Sequence, residues 1–225
     1  MNLGELEKAV ALIVQDRSLQ QYYASWINTA LLELAAAFEL PALKTLSPST
    51  LEITIAAWLF PLPANFQKDL FRCADVNFNE VNVVRTMESL DRYDMDHDDT
   101  GDNVTHVAVT DTQIGVYPRA NDTLQLWYYM KPTTLTRASD VPTCVPEAYH
   151  ARVILPKVIL KAYEHLQDQV ENFDQKGFQY WQAKLAAGLK GSPMDGPGLV
   201  QYLSKIQGGP RRHGGRDPAG IRYYA

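Results

Sequence analysis

The chain has 225 residues, of which 46% are apolar and 21% charged, which suits one domain of ordinary size, or one domain with an appendage, and excludes bulk disorder. Its net charge of −5 is unevenly placed: residues 191–225 carry five basic and two acidic side chains, leaving −8 on residues 1–190. An acidic body argues against nucleic-acid binding as the main task, because that affinity comes chiefly from neutralising phosphates.

Residues 3–14 place Leu3, Leu6, Val10, Ile13 and Val14 on one helical stripe. Gln15–Ser18 breaks the pattern, and Ser18 is the expected cap of a second helix running to about Phe38. Tyr22, Tyr23, Trp26, Ile27, Ala30, Leu31, Leu34 and Phe38 form its stripe, and Pro41 closes it. The two segments read as an antiparallel helical pair. The period then changes: Leu51, Ile53 and Ile55 alternate with Glu52 and Thr54, as in a strand. The stretch from Trp58 to Phe66 ends that strand in a Pro-bounded turn, with Trp58, Leu59 and Phe66 expected as packing residues. Short strands follow near 70–76, 81–85, 104–109, 113–117 and 123–130, predicting an antiparallel sheet or small sandwich. Helical spacing returns after Pro146, with Pro156 expected to kink or split the helix. A last helix spans about 170–189 and carries Phe173, Phe178, Trp181, Leu185 and Leu189.

The fold class expected is α+β: a helical bundle from residues 1–48 and 145–190, an inserted antiparallel β-domain at 49–144, and a flexible C-terminal arm at 191–225. The arm holds eight Gly and four Pro, too many for a packed fold. It also holds two apolar anchor sets. Leu199, Tyr202, Leu203 and Ile206 have the spacing of a helix seated in a partner's groove, or of a short helix folded back on its own body. Ile221, Tyr223 and Tyr224 form the second set. Between them Arg211, Arg212 and Arg216 make a basic, Gly-rich spacer, read as a docking segment in preference to a nucleic-acid one.

Asp94, Asp96 and Asp98 have the first three ligand spacings of a calcium loop. The Gly required at the sixth position is Asp99, however, and the twelfth position is Thr105 where a bidentate Glu belongs. The segment is therefore read as a solvated acidic loop, with these three as its only candidate metal ligands. His97, His106, His150 and His165 form no metal pairing, and no nucleophile elbow, phosphate loop or dinucleotide fingerprint is present. No catalytic residue and no cofactor is expected. Cys73 and Cys144 match no metal or redox spacing. Residues 1–7 lack the basic and apolar regions of a signal peptide, and no apolar run approaches the ~20 residues of a membrane span. No membrane partner is expected, and synthesis in a reducing cytoplasm is.

The helix pair with Trp26–Leu34, the turn Trp58–Phe66, Val116-Tyr117-Pro118 before the strand Leu124–Tyr129, and Val145–His150 at the third helix follow one another in the order and spacing of a known family. Residues 3–190 resemble the head-to-tail adaptor (connector) proteins of tailed bacteriophages. The resemblance implies a structural virion protein at the neck, assembled in the host cytoplasm: a homo-oligomeric ring of twelve subunits that binds the portal above and a tail or nozzle protein below. DNA would pass through the ring as transient cargo during ejection, and a C-terminal extension would dock onto the portal. Two rival readings are a β-sandwich module binding carbohydrate or protein elsewhere in the virion, and a hydrolase using two carboxylates that spacing alone does not reveal.

Overall fold

A computed structural model describes residues 1–167 and 174–206. The elements run in the order α1 (Leu3–Val14), a 3-10 segment (Arg17–Tyr22), α2 (Tyr23–Ala37), β1 (Ser49–Ile53), β2 (Leu59–Pro61), β3 (Phe66–Ala74), β4 (Glu80–Val84), α3 (Met87–Asp91), β5 (His106–Val109), β6 (Gln113–Tyr117), β7 (Asp122–Met130), α4 (Leu155–Gln167), α5 (Gln175–Lys190), β8 (Gly191–Ser192), β9 (Gly196–Pro197) and α6 (Leu199–Ile206). The class is α+β. The chain divides into two compact units, one of residues 1–30 and 135–225, the other of residues 31–134.

In the first unit, Asn2 and Glu5 close a reciprocal capping box at the start of α1: Glu5 N donates to Asn2 Oδ1 at 2.8 Å and Asn2 N to Glu5 Oε2 at 2.9 Å. Leu3, Leu6 and Val10 are its buried stripe. The helix packs mainly against α4, so the expected pairing of α1 with the second helix gives way to one between the two ends of the chain. Asp16, in place of the expected Ser18, caps the next segment by accepting from Ser18 N at 2.8 Å. The run after Pro146 divides just before Pro156. Glu147–Tyr149 is a 3-10 turn, His150–Ile154 a π-helical turn, and α4 begins at Leu155 with Pro156 in its first turn, where a missing amide is tolerated. His150 is buried, with Nε2 2.8 Å from the Val145 carbonyl.

Residues 191–206, expected as the start of a flexible arm, are folded. Gly191 and Gly196 take positive φ in a two-stranded hairpin, and α6 follows it and packs against α5. Among the described residues, Gly191 and Gly198 serve close backbone approach. A Cβ on Gly198 would lie 2.2 Å from Gly191 N and 2.3 Å from Leu189 O.

The second unit is built on a seven-stranded sheet of order β1-β7-β3-β4-β5-β6-β2. The expected antiparallel arrangement holds at every pairing except β4 with β5, which run parallel. Parallel neighbours need a crossover, and residues 85–105, with α3 inside them, provide it. The segment from Trp58 to Phe66 also differs from a simple turn, since Leu59–Pro61 pairs with β6 as an edge strand. The core gathers Ile53, Phe66, Leu70, Val107, Ile114, Leu124, Leu126 and Tyr128. Tyr128 is fully buried, and its hydroxyl lies 2.8 Å from Ser49 Oγ while donating to Asn65 Oδ1 at 2.6 Å. On the opposite face of β7, Arg72 covers Trp127 at 4.6 Å from the ring centre, a cation–π contact.

The division lies at 30/31 and 134/135, where 48/49 and 144/145 were expected. Thr45 belongs with the sheet because its hydroxyl accepts from Tyr128 N at 3.0 Å. Residues 135–140 belong with the helices. Leu3 N donates to Asp140 O, Gly4 N to Ala138 O, and Leu135 N to Asn28 Oδ1, all within 2.8–2.9 Å.

The β3–β4 turn shows how one carboxylate fixes a loop. Asp75 accepts from Asn79 Nδ2 at 2.7 Å and from Asn77 N and Asn79 N at 2.8 Å each. The Asn79 side chain, more than the backbone amides, holds its pKa below the ordinary carboxylate value. A depressed folded pKa contributes stability above the unfolded value of about 4 that is lost as pH falls through the folded one. Asp75→Ala is therefore expected to lower the melting temperature at pH 7 by more than at pH 3, as thermal unfolding at the two pH values would show. Equal losses at both would contradict it.

Candidate functional site

The crossover between β4 and β5 carries the densest charge in the chain, with seven acidic and two basic side chains between Arg85 and Asp102. Its fold follows from local bonds. Thr86 caps α3, its hydroxyl accepting from Ser89 N at 3.2 Å. Asp94 then accepts from Asp96 N at 3.2 Å and from Asp99 N at 2.8 Å. The loop is pinned to the end of β6. Arg119 N donates to Asp99 O at 3.0 Å, Gly101 N to Arg119 O at 3.0 Å, and the Arg119 guanidinium to Asp98 O at 2.7 Å.

This folding brings together Asp94, Asp98 and Asp99, whose carboxylate oxygens lie within 4.8 Å of one another. Of the three candidate ligands read from spacing, Asp94 and Asp98 belong to the group and Asp96 does not; Asp99 takes its place. Among the described residues, no Lys or Arg side chain forms an ion pair with these three. The amide of Asp99 does most to keep the Asp94 pKa below the ordinary range.

Aromatic rings flank the carboxylates. Tyr93 lies 4.2 Å from His106 and 5.5 Å from Tyr117, stacked on the latter. Tyr117 donates its hydroxyl to Asp99 Oδ2 at 3.2 Å, and its pKa is raised by burial first and by that bond second. Burial lowers the His106 pKa. Tyr93 is 48% and Met95 82% exposed. On the loop's other flank, His97 takes a φ of 53°, stacks on Trp58 at 3.6 Å and 3°, and sets Nε2 3.2 Å from Asp91. The result is a surface of carboxylates beside one exposed ring, Tyr93, and two partly buried ones, chemistry suited to a cationic, aromatic-bearing chain segment. Spacing along the sequence reveals only the carboxylates. The rings come from the turn after α3, from β5 and from β6, and the tertiary fold unites them.

Phe66 is a core residue as expected, whereas Trp58 and Leu59 are only half-buried. Trp58→Ala is therefore expected to cost about 1–2 kcal/mol, below the ~3–5 kcal/mol of a fully buried ring. Its second effect is to release His97, so limited proteolysis should cut the variant faster between residues 92 and 105. A variant as resistant as wild type would show that the stack does not hold the loop.

The two thiols are poorly placed for chemistry. Burial pushes Cys73 up to about 12 and Cys144 up to about 11, so neither forms a thiolate near neutral pH.

The expected arm anchors divide. Leu199 and Leu203 are buried within the first unit, Tyr202 lies 5.5 Å from the Tyr149 ring, and Ile206 is half-exposed. Of the two readings open for this helix, the structure shows the one folded back on its own body. Arg211, Arg212, Arg216, Ile221, Tyr223 and Tyr224 lie outside the described residues, as does Phe173.

Compared with known protein families, residues 1–201 match the SU10 adaptor protein family. No curated protein matches the chain. The match spans well over half of the sequence, and the chain belongs to that family. Its members are structural adaptors of phages, so the chain is a virion component that interacts with other virion proteins. Among the described residues no helix is long and apolar enough to cross a membrane.

Proposed function

We propose that this member of the SU10 adaptor family forms the ring that joins the phage portal to the tail. Copies of the chain, twelve in the closed form, bind the portal above and a tail or nozzle protein below, and the ring lets DNA through during ejection. The protein works at the virion neck after assembly in the host cytoplasm. It acts by binding and not by catalysis.

The observation that carries this reading is the family match over residues 1–201. The charge distribution supports it. An acidic body does not grip DNA, which suits a conduit through which DNA must move. The segment beyond Ile206, with Arg211, Arg212, Arg216, Ile221, Tyr223 and Tyr224, is the attaching arm, and it reaches the portal or an adjacent subunit. Weak contacts at both ends of such an arm add through effective concentration once the ring has begun to form.

Native mass measurement tests this. Alone and dilute, the protein is expected as a monomer or weak oligomer. With purified portal of the same phage it is expected to form one closed ring per portal. A stable two-fold dimer formed without portal would count against it, because such an interface consumes its own contact patch.

A further inference from the structure

We infer that the basic C-terminal segment of one copy docks on the acidic aromatic face of a neighbouring copy, the face formed by Tyr93, Met95, His106 and Tyr117 with Asp94, Asp98 and Asp99. The inference rests on the ring reading above and names one contact within that ring.

Two surfaces of this chain have opposite and matching chemistry. The face carries three clustered carboxylates that no Lys or Arg among the described residues pairs with. Beside them stand the stacked rings of Tyr93 and Tyr117 and the exposed side chain of Met95. The nineteen residues after Ile206 contain four Arg and one Asp, and Ile221, Tyr223 and Tyr224 are their large apolar side chains. Guanidinium groups pair with carboxylates in a planar fork and stack on aromatic faces. The aromatic character of Tyr223 and Tyr224 matches the exposed ring of Tyr93 and the thioether of Met95. Nineteen residues span at most about 65 Å when fully extended, which bounds the reach of such a contact.

The face and the segment are different parts of the chain, so a contact between copies is head-to-tail. Such contacts close into rings, whereas a self-matching patch closes into a dimer. Exposed ion pairs are individually weak and screened by salt. The contact therefore matters where the ring holds copies side by side, and it stays undetected between dilute monomers.

The test places a photo-crosslinker in the full-length chain by Tyr223→benzoylphenylalanine. Isotopically heavy and light copies are mixed, assembled on purified portal and irradiated, and the crosslinked peptides are mapped. Heavy–light crosslinks to the 93–117 region are expected. They should fall at least tenfold in the Asp94→Asn/Asp98→Asn/Asp99→Asn variant and in the Arg211→Gln/Arg212→Gln/Arg216→Gln variant, and likewise in 0.5 M salt. The second variant changes no residue of the described fold, and its melting temperature is measured beside that of the first, so a folding defect in the first does not obscure the result. Crosslinks to portal only, crosslinks within a single chain, or yields unchanged in both variants would overturn the inference. A ring still seen by mass would then leave the adaptor reading standing.

Discussion

Removing residues 207–225 is expected to leave the melting temperature nearly unchanged and to abolish stable attachment to the portal-bound assembly, whereas removing residues 192–225 is expected to lower the melting temperature sharply as well. The difference lies in α6 and the hairpin before it. Leu199 is fully buried and Leu203 nearly so. Tyr149 donates its hydroxyl to Pro197 O at 3.3 Å. Burying a Leu side chain contributes roughly 1.5–3 kcal/mol, so losing two costs about 3–6 kcal/mol. That is a fall of ~10 °C or more for a chain of this size. Leu199→Ser with Leu203→Ser should lower the melting temperature as the longer truncation does, since both remove the buried leucines of α6. Co-sedimentation with purified portal, run beside thermal unfolding, separates the two effects. Equal attachment by wild type and the shorter truncation would leave the last nineteen residues without the role assigned to them. An unchanged melting temperature in the longer truncation would contradict the packing of α6.

Gly188→Ala is expected to destabilise the first unit by about 1–3 kcal/mol, the range for forcing atoms into a filled interior. Gly188 is the one buried residue of α5. A Cβ there would fall 2.0 Å from the Arg152 carbonyl oxygen and 2.8 Å from its carbon. Backbone atoms cannot swing aside as a flexible side chain can. The close approach has a chemical origin: Arg152 lies four residues before Pro156, which has no amide to give that carbonyl. The π-helical turn at His150–Ile154 and the missing side chain at 188 together let α5 pack against this stretch. Denaturant unfolding of Gly188→Ala beside Ala187→Gly, a change on a less buried face of α5, isolates the steric cost from helix propensity. A Gly188→Ala protein as stable as wild type would mean that α5 sits farther from Arg152 than the structure places it.

Periodicity made most of the elements readable. The Leu3–Val14 stripe marks α1 to the residue, and the strand expected near 123–130 is β7. What periodicity cannot carry is pairing. The parallel contact of β4 with β5 depends on a crossover whose short helix, Met87–Asp91, is too brief to show a period. The end of the folded body was misread for a related reason. Gly191, Gly196 and Gly198 look like linker composition, yet each occupies a tight backbone contact or a positive φ that only three-dimensional packing explains. At the candidate site the carboxylates were legible because they are neighbours in sequence. Tyr93, His106 and Tyr117 were not, since three separate elements bring them together. Asp99 could have been suspected in place of Asp96, because a five-residue reach to its amide folds the Asp94 loop back on itself.

The adaptor reading makes one image decisive. Purified portal of the same phage, incubated with the full-length chain and examined by electron cryo-microscopy, is expected to show a closed, rotationally symmetric ring of this chain seated on the portal around an open channel. A portal with no added density, or a chain that appears only as portal-independent two-fold dimers, would contradict it.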